Sequence, residues 1–156
     1  MTEKISLKRN KSNPKLIKKK RRGSCLKETP KNLSSLQQAY WLAQKASQIG
    51  FDWPNLEGVL EKLDEELAEF KEALGSKDRK RIFEEMGDLL FVLTNLARFL
   101  KIDPEKALKK TLKKFRLRFQ YIESSLDQEG KSLSESNLLE MDQLWEEAKQ
   151  RKERLK

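Results

Sequence analysis

The chain has 156 residues, 37% apolar and 38% charged, which suits one helical domain with a modest core. With one cysteine and no histidine, it excludes an internal disulfide, a Cys/His zinc site, a histidine general base and a Ser-His-Asp triad. The formal charge of +9 is uneven: residues 1–31 hold 12 basic and 2 acidic groups, while the remainder holds 22 basic and 23 acidic.

Residues 1–31 are basic and of low complexity, with the run Lys18-Lys19-Lys20-Arg21-Arg22, and are expected to be disordered when free. Such a tail reads first as a solvated linker and second as a contact for RNA or another anionic surface. No secretory signal pattern opens the chain. The longest apolar run, 89–100, is broken by Thr94, Asn95 and Arg98 and falls short of the ~20 residues a bilayer requires. A cytoplasmic protein with no membrane association is expected.

Residues 32–156 read as an all-α domain, a bundle of about five helices, since helical periodicity recurs and two-residue alternation does not. The first helix, 33–49, ends at Gly50 and leads into the connector Phe51-Asp52-Trp53-Pro54-Asn55, with Asn55 as N-cap. A second helix, 56–74, carries the stripe Leu56, Val59, Leu60, Leu63, Leu67, Phe70 and Leu74, and Gly75 is expected to stop it. The third, 79–100, follows the cap Asp78 with the stripe Ile82, Met86, Leu89, Leu90, Leu93, Ala97 and Leu100, widened by Phe91 and Val92. That breadth predicts burial on nearly every side and hence a subunit interface, a homodimer. Asp103-Pro104 opens a fourth helix to about 126 over Leu108, Leu112, Phe115, Phe119 and Ile122. After a polar break at 127–136, a last helix runs over Leu138, Met141, Leu144 and Ala148.

Two acidic pairs stand out, Glu66 with Glu69 and Glu85 with Asp88, each one helical turn apart on one face. Brought together at ~5 Å, such carboxylates repel by roughly 3 kcal/mol per pair at an effective dielectric of about 20, so a cation is needed between them. Helical projection places Lys62, Glu66 and Glu69 on one flank of the second helix's stripe. It places Arg81, Glu85, Asp88, Val92 and Asn95 on one flank of the third, and Lys114 with Arg118 on one flank of the fourth. Solvated helix faces also carry pairs like Glu66 and Glu69. Glu85 and Asp88 argue more strongly, because Gly87-Asp88 is unfavourable in mid-helix and borders an apolar run. A ferritin-like dimetal bundle draws on Glu-x-x-His motifs that this chain lacks, which disfavours that reading, and an all-oxygen site favours Mg²⁺, with Mn²⁺ as a substitute.

The ordered set of E-E-x-x-E (65–69), E-x-x-D (85–88), K-F-R-L-R-F (114–119) and L-W-E-E-A-K (144–149) resembles the MazG-type nucleoside triphosphate pyrophosphohydrolases of the all-α pyrophosphatase superfamily. The likeness includes G-F-D-W-P (50–54), E-E-M-G-D-L-L-F (84–91) and I-D-P-E-x-A-L (102–108), and it is strongest to the C-terminal domain of two-domain MazG proteins. The resemblance implies hydrolysis between the α and β phosphates, giving the monophosphate and pyrophosphate, in nucleotide-pool housekeeping. It implies Glu66, Glu69, Glu85 and Asp88 as Mg²⁺ ligands. Lys62, Glu65, Arg81 and Glu84 would line the nucleotide site, with Lys114 and Arg118 on the phosphates and Trp145 and Lys149 reaching the nucleotide. Glu65 or Glu84 is expected to orient the attacking water. One departure is Leu117, where the family motif K-F-x-R-R-F has an arginine; it projects away from Lys114 and Arg118. The other is the basic tail, which stands where longer members have a linker after a preceding MazG-type domain. Two further readings stay open, a non-catalytic helical module that holds RNA or an acidic partner by its tail, and a degenerate nucleotide binder.

Overall fold

The computed structural model describes residue 26, residues 29–30 and residues 32–153, so the expectation for the tail lies almost wholly outside the described residues. The chain is all-α, with no strand among the described residues. The order is α1 (Ser35–Gln48), α2 (Leu56–Ser76), α3 (Arg79–Phe99), α4 (Pro104–Gln128), a 3₁₀ turn (Leu133–Glu135) and α5 (Leu138–Glu153). No helix among the described residues is long and apolar enough to cross a membrane.

The helix starts follow local chemistry. Ser34 and Gln37 form a reciprocal capping box at α1. The side chains of Asn55, Asp78 and Asp103 accept the free N–H groups at the starts of α2, α3 and α4, respectively. One stop differs from expectation: Gly75 stays helical, α2 continues to Ser76, and Lys77 in the left-handed conformation (φ 58°) ends it. Its N–H bonds back to the Leu74 carbonyl, and that bond, not the glycine, sets the boundary.

α2 and α3 form an antiparallel hairpin, α1 packs on α3, and α5 packs on α4. α4 also touches α1 and α3, and near its start Ser34 Oγ donates to the Glu105 carboxylate at 2.6 Å. Packing corrects the expected core. The buried positions of α2 are Val59, Glu66 and Ala73, and those of α3 are Val92, Thr94 and Asn95. Leu60, Leu67 and Leu74 on α2 and Met86, Leu90 and Leu93 on α3 are instead exposed. The hairpin therefore closes partly on the flank that carries the acids: Val59 and Val92 are buried, Leu63, Phe70, Ile82 and Leu89 are half-buried, and the exposed leucines face outward. α3 is not buried on every side within one chain.

The open end of the hairpin is tied by Arg98, whose guanidinium donates to both Asp52 carboxylate oxygens (2.5 and 3.0 Å) and to Asn95 Oδ1 (2.7 Å). Trp53, next in the connector, lies over α2 at Gly58, where an added Cβ would sit 3.0 Å from the indole. The Arg98 side chain is 9% exposed. Asp52→Ala would leave that charge buried without its partner. A loss of about 3 kcal/mol of stability is expected in urea unfolding, and a loss below about 1 kcal/mol would show the clamp to be incidental.

Candidate functional site

Glu66 on α2 and Glu85 and Asp88 on α3 each offer one carboxylate oxygen, and the three oxygens lie within 4.8 Å of one another. Glu66 is buried, Glu85 is half-buried, and Asp88 is open to solvent. Glu69 stands outside this closest group. Desolvation, and after it the charges of Glu66 and Glu85, push its carboxyl above the ordinary glutamate range. The four acids singled out from the sequence thus share one electrostatic neighbourhood at the middle of the hairpin, three of them converging tightly.

Two cations border the cluster. Lys62 Nζ lies 2.7 Å from Glu66 and 3.0 Å from Glu65. Burial works against its ammonium, yet the Glu66 and Glu65 carboxylates outweigh that and hold it charged far above neutral pH. Arg81 pairs mainly with Glu72 at 2.8 Å and lies 3.7 Å from Glu85. Of the two carboxylates expected to orient water, Glu65 leans on Lys62, while Glu84 is exposed and pairs with Lys80 at 3.7 Å.

A second group forms where α4 meets α5. The Arg118 guanidinium sits 5.3 Å from the centre of the Trp145 ring, which is itself 5.3 Å from Phe115. Lys114 is half-buried one turn before Arg118, and Lys149 pairs with Glu146 one turn past Trp145. Among the described residues no hydrogen bond or ion pair joins Lys114, Arg118, Trp145 or Lys149 to the acidic cluster.

Two buried side-chain polar atoms among the described residues have no hydrogen-bond partner, Glu66 Oε2 and Arg118 Nε. One belongs to the acidic group and one to the basic group. A buried carboxylate oxygen costs roughly 1–3 kcal/mol or more when unpaired, and ligands usually repay such a cost. The donor set around Glu66 is carboxylate oxygen throughout, which fits a hard divalent cation. The sequence missed Glu72, which diverts Arg81 from the cluster, and no motif singles it out.

Residues 55–122 match the MazG nucleotide pyrophosphohydrolase domain family. The chain is 44% identical over 132 residues to the nucleoside triphosphate pyrophosphohydrolase/pyrophosphatase MazG of Thermotoga maritima, a match covering 85% of this chain and 51% of that protein. It is 35% identical over 130 residues to the nucleoside triphosphate pyrophosphohydrolase of Escherichia coli K12, covering 81% and 49%. The chain spans about half the length of the curated relatives it matches. The matched domain holds the acidic cluster and the α4 cations, and Trp145 and Lys149 lie beyond it.

Because Glu69 holds its proton more tightly folded than unfolded, it contributes stability that is complete below the ordinary glutamate range and is lost as pH rises through the raised value. Glu69→Gln, melted in EDTA, should therefore gain stability relative to the unaltered chain as pH climbs from 4.5 to neutrality. A constant difference across that window would show that the cluster's charges do not burden the fold.

Proposed function

This chain carries a MazG nucleotide pyrophosphohydrolase domain, and on that premise we propose that it hydrolyses nucleoside triphosphates to the monophosphate and pyrophosphate with Mg²⁺, or Mn²⁺ in its place. The observation that carries this reading is the pair of orphaned buried atoms, Glu66 Oε2 and Arg118 Nε, one set for a cation and one for an anion. A metal triphosphate supplies both.

Glu66, Glu85 and Asp88, with Glu69 beside them, are the residues that would hold the ion. When bound, the ion supplies the positive charge that lets a polyanion approach four carboxylates. Lys114 and Arg118 neutralise the phosphates, Arg118 through charge-assisted hydrogen bonds from the Nε that has no partner among the described residues. Trp145, beside Phe115 and Arg118 of α4, is the aromatic ring on which a base would stack, and Lys149 stands one turn further on α5. Glu65, at the rim beside Lys62, is placed to orient water and accept its proton, a role Glu84 would take from α3. The catalytic unit is the domain of residues 32–156, with residues 1–31 as a separate basic segment, working in the cytoplasm.

The working form is a homodimer whose sites are completed between copies. Asp88 lies about 16 Å along α3 from that helix's end, and Lys114 lies about 15 Å along α4 from its start. The two helices share only a small contact, and among the described residues no hydrogen bond or ion pair joins the acidic group to the basic one. The outward leucines of α3 and the exposed Leu112 and Phe115 of α4 offer the apolar surface on which a second copy closes that gap.

A panel of nucleoside triphosphates with Mg²⁺, resolved by chromatography, should yield pyrophosphate; orthophosphate and diphosphate as products, or no turnover, would refute the activity. Glu85→Gln or Asp88→Asn is expected to lower turnover by at least about 100-fold with the helical circular dichroism retained. For the shared site, copies bearing Glu85→Gln are refolded together with copies bearing Arg118→Ala. One intact site per mixed dimer should restore about a quarter of full activity, and no recovery above either variant alone would place both groups in one chain.

A further inference from the structure

The acidic cluster already contains a cation. Lys62 Nζ takes Glu66 Oε1 at 2.7 Å and Glu65 at 3.0 Å, and its side chain is 30% exposed at the mouth of the cluster. Spacing of i, i+4 on α2 makes this contact geometrically natural, and the flexible four-carbon stem lets the ammonium leave it without moving the helix. Of the three converging carboxylates this ammonium contacts Glu66 alone, and it leaves Glu66 Oε2 without a partner among the described residues, so it is an under-strength occupant. Arg81 adds only a longer contact, 3.7 Å to Glu85, because its closer partner is Glu72 at 2.8 Å.

We propose that Lys62 is a tethered counter-ion that competes with the divalent metal for Glu66 and is drawn off by the incoming triphosphate, so that metal and nucleotide bind as a coupled pair. The proposal rests on the metal-triphosphate reading of this site. A metal arriving alone competes with the ammonium for the buried Glu66 carboxylate and leaves it only Glu65, a carboxylate largely open to solvent. A metal arriving with a triphosphate brings the acceptor with it, since the phosphate oxygens offer Lys62 charge-assisted hydrogen bonds as strong as those it gives up. By linkage the nucleotide raises metal affinity by the same factor as the metal raises nucleotide affinity. Lys62 thereby acts as a positioning residue for the metal and afterwards as a phosphate ligand.

The test is Mn²⁺ binding to the metal-free chain without nucleotide, followed by electron paramagnetic resonance. Lys62→Met should bind Mn²⁺ more tightly than the unaltered chain, by about tenfold for one adjacent positive charge in a partly solvated setting. Lys62→Gln should shift the same way, and Lys62→Arg should stay near the starting affinity. Lys80→Gln removes an equal charge that pairs with Glu84 outside the cluster, and it should leave Mn²⁺ affinity within about twofold. An α,β-methylene nucleoside triphosphate should then tighten Mn²⁺ more in the unaltered chain than in Lys62→Met. Equal or weaker Mn²⁺ affinity in both Lys62→Met and Lys62→Gln, with circular dichroism unchanged, would overturn the proposal. If the Glu85→Gln, Asp88→Asn double variant binds Mn²⁺ as well as the unaltered chain, or none of these proteins binds it, the underlying site reading fails instead. A melting shift on adding Mn²⁺, larger for Lys62→Met than for the unaltered chain, gives the same answer should the variant be unstable without metal.

Discussion

Glu66, Glu85 and Asp88 face one another across the inside of a helical hairpin, with Glu69 close enough to feel two of them. A hairpin interior normally buries leucine; this one buries a glutamate with one oxygen unsatisfied. Every other choice nearby makes that arrangement tolerable. Val59 and Ala73 lie a heptad either side of Glu66 and pack tightly, so the hairpin holds despite the charges between them. Lys62 and Arg81 blunt the repulsion from the rim without filling the site.

Much of this was readable in the chain because it is local. Asn55, Asp78 and Asp103 cap their helices through bonds spanning two or three residues, and the acidic pairs sit on single helix turns. What periodicity could not decide was which flank of an amphipathic helix turns inward. On α2 and α3 the strongest apolar stripe and the buried face differ by part of a turn, and a hydrophobicity pattern reports the stripe. The leucines therefore read as core and the acids as flank, whereas packing buries Glu66 beside Val59 and leaves Leu60 and Leu67 exposed. Long-range ties were equally silent: Arg98 finds Asp52 across 46 positions and Ser34 finds Glu105 across 71, with ordinary polar residues at both ends. Gly75 misled for the opposite reason, since a helix tolerates a glycine when the next turn can close on a left-handed residue.

The misplaced stripe is informative in itself. A chain that turns its leucines outward on α3 and α4, and leaves Arg118 Nε buried without a partner on α4, has more recognition surface than its own fold consumes. The relation to MazG proteins covers both halves of that unfinished business, because the matched segment runs from the start of α2 to Ile122 on α4. Leu117, the position where the family motif carries arginine, is exposed on the same helix. It adds one more apolar group to a surface already rich in them.

The clamp between Arg98 and Asp52 closes the open end of the hairpin, and the left-handed turn at Lys77 closes the other. In mechanical terms α2 and α3 are a pair of beams pinned at both supports, with the load of like charge at midspan. Beams so held cannot relieve the load by sliding, which would change the register; they can only bow. Both supports lie away from Glu66 and Glu85, so the ties that fix the register of the hairpin are separate from the carboxylates whose charge it carries.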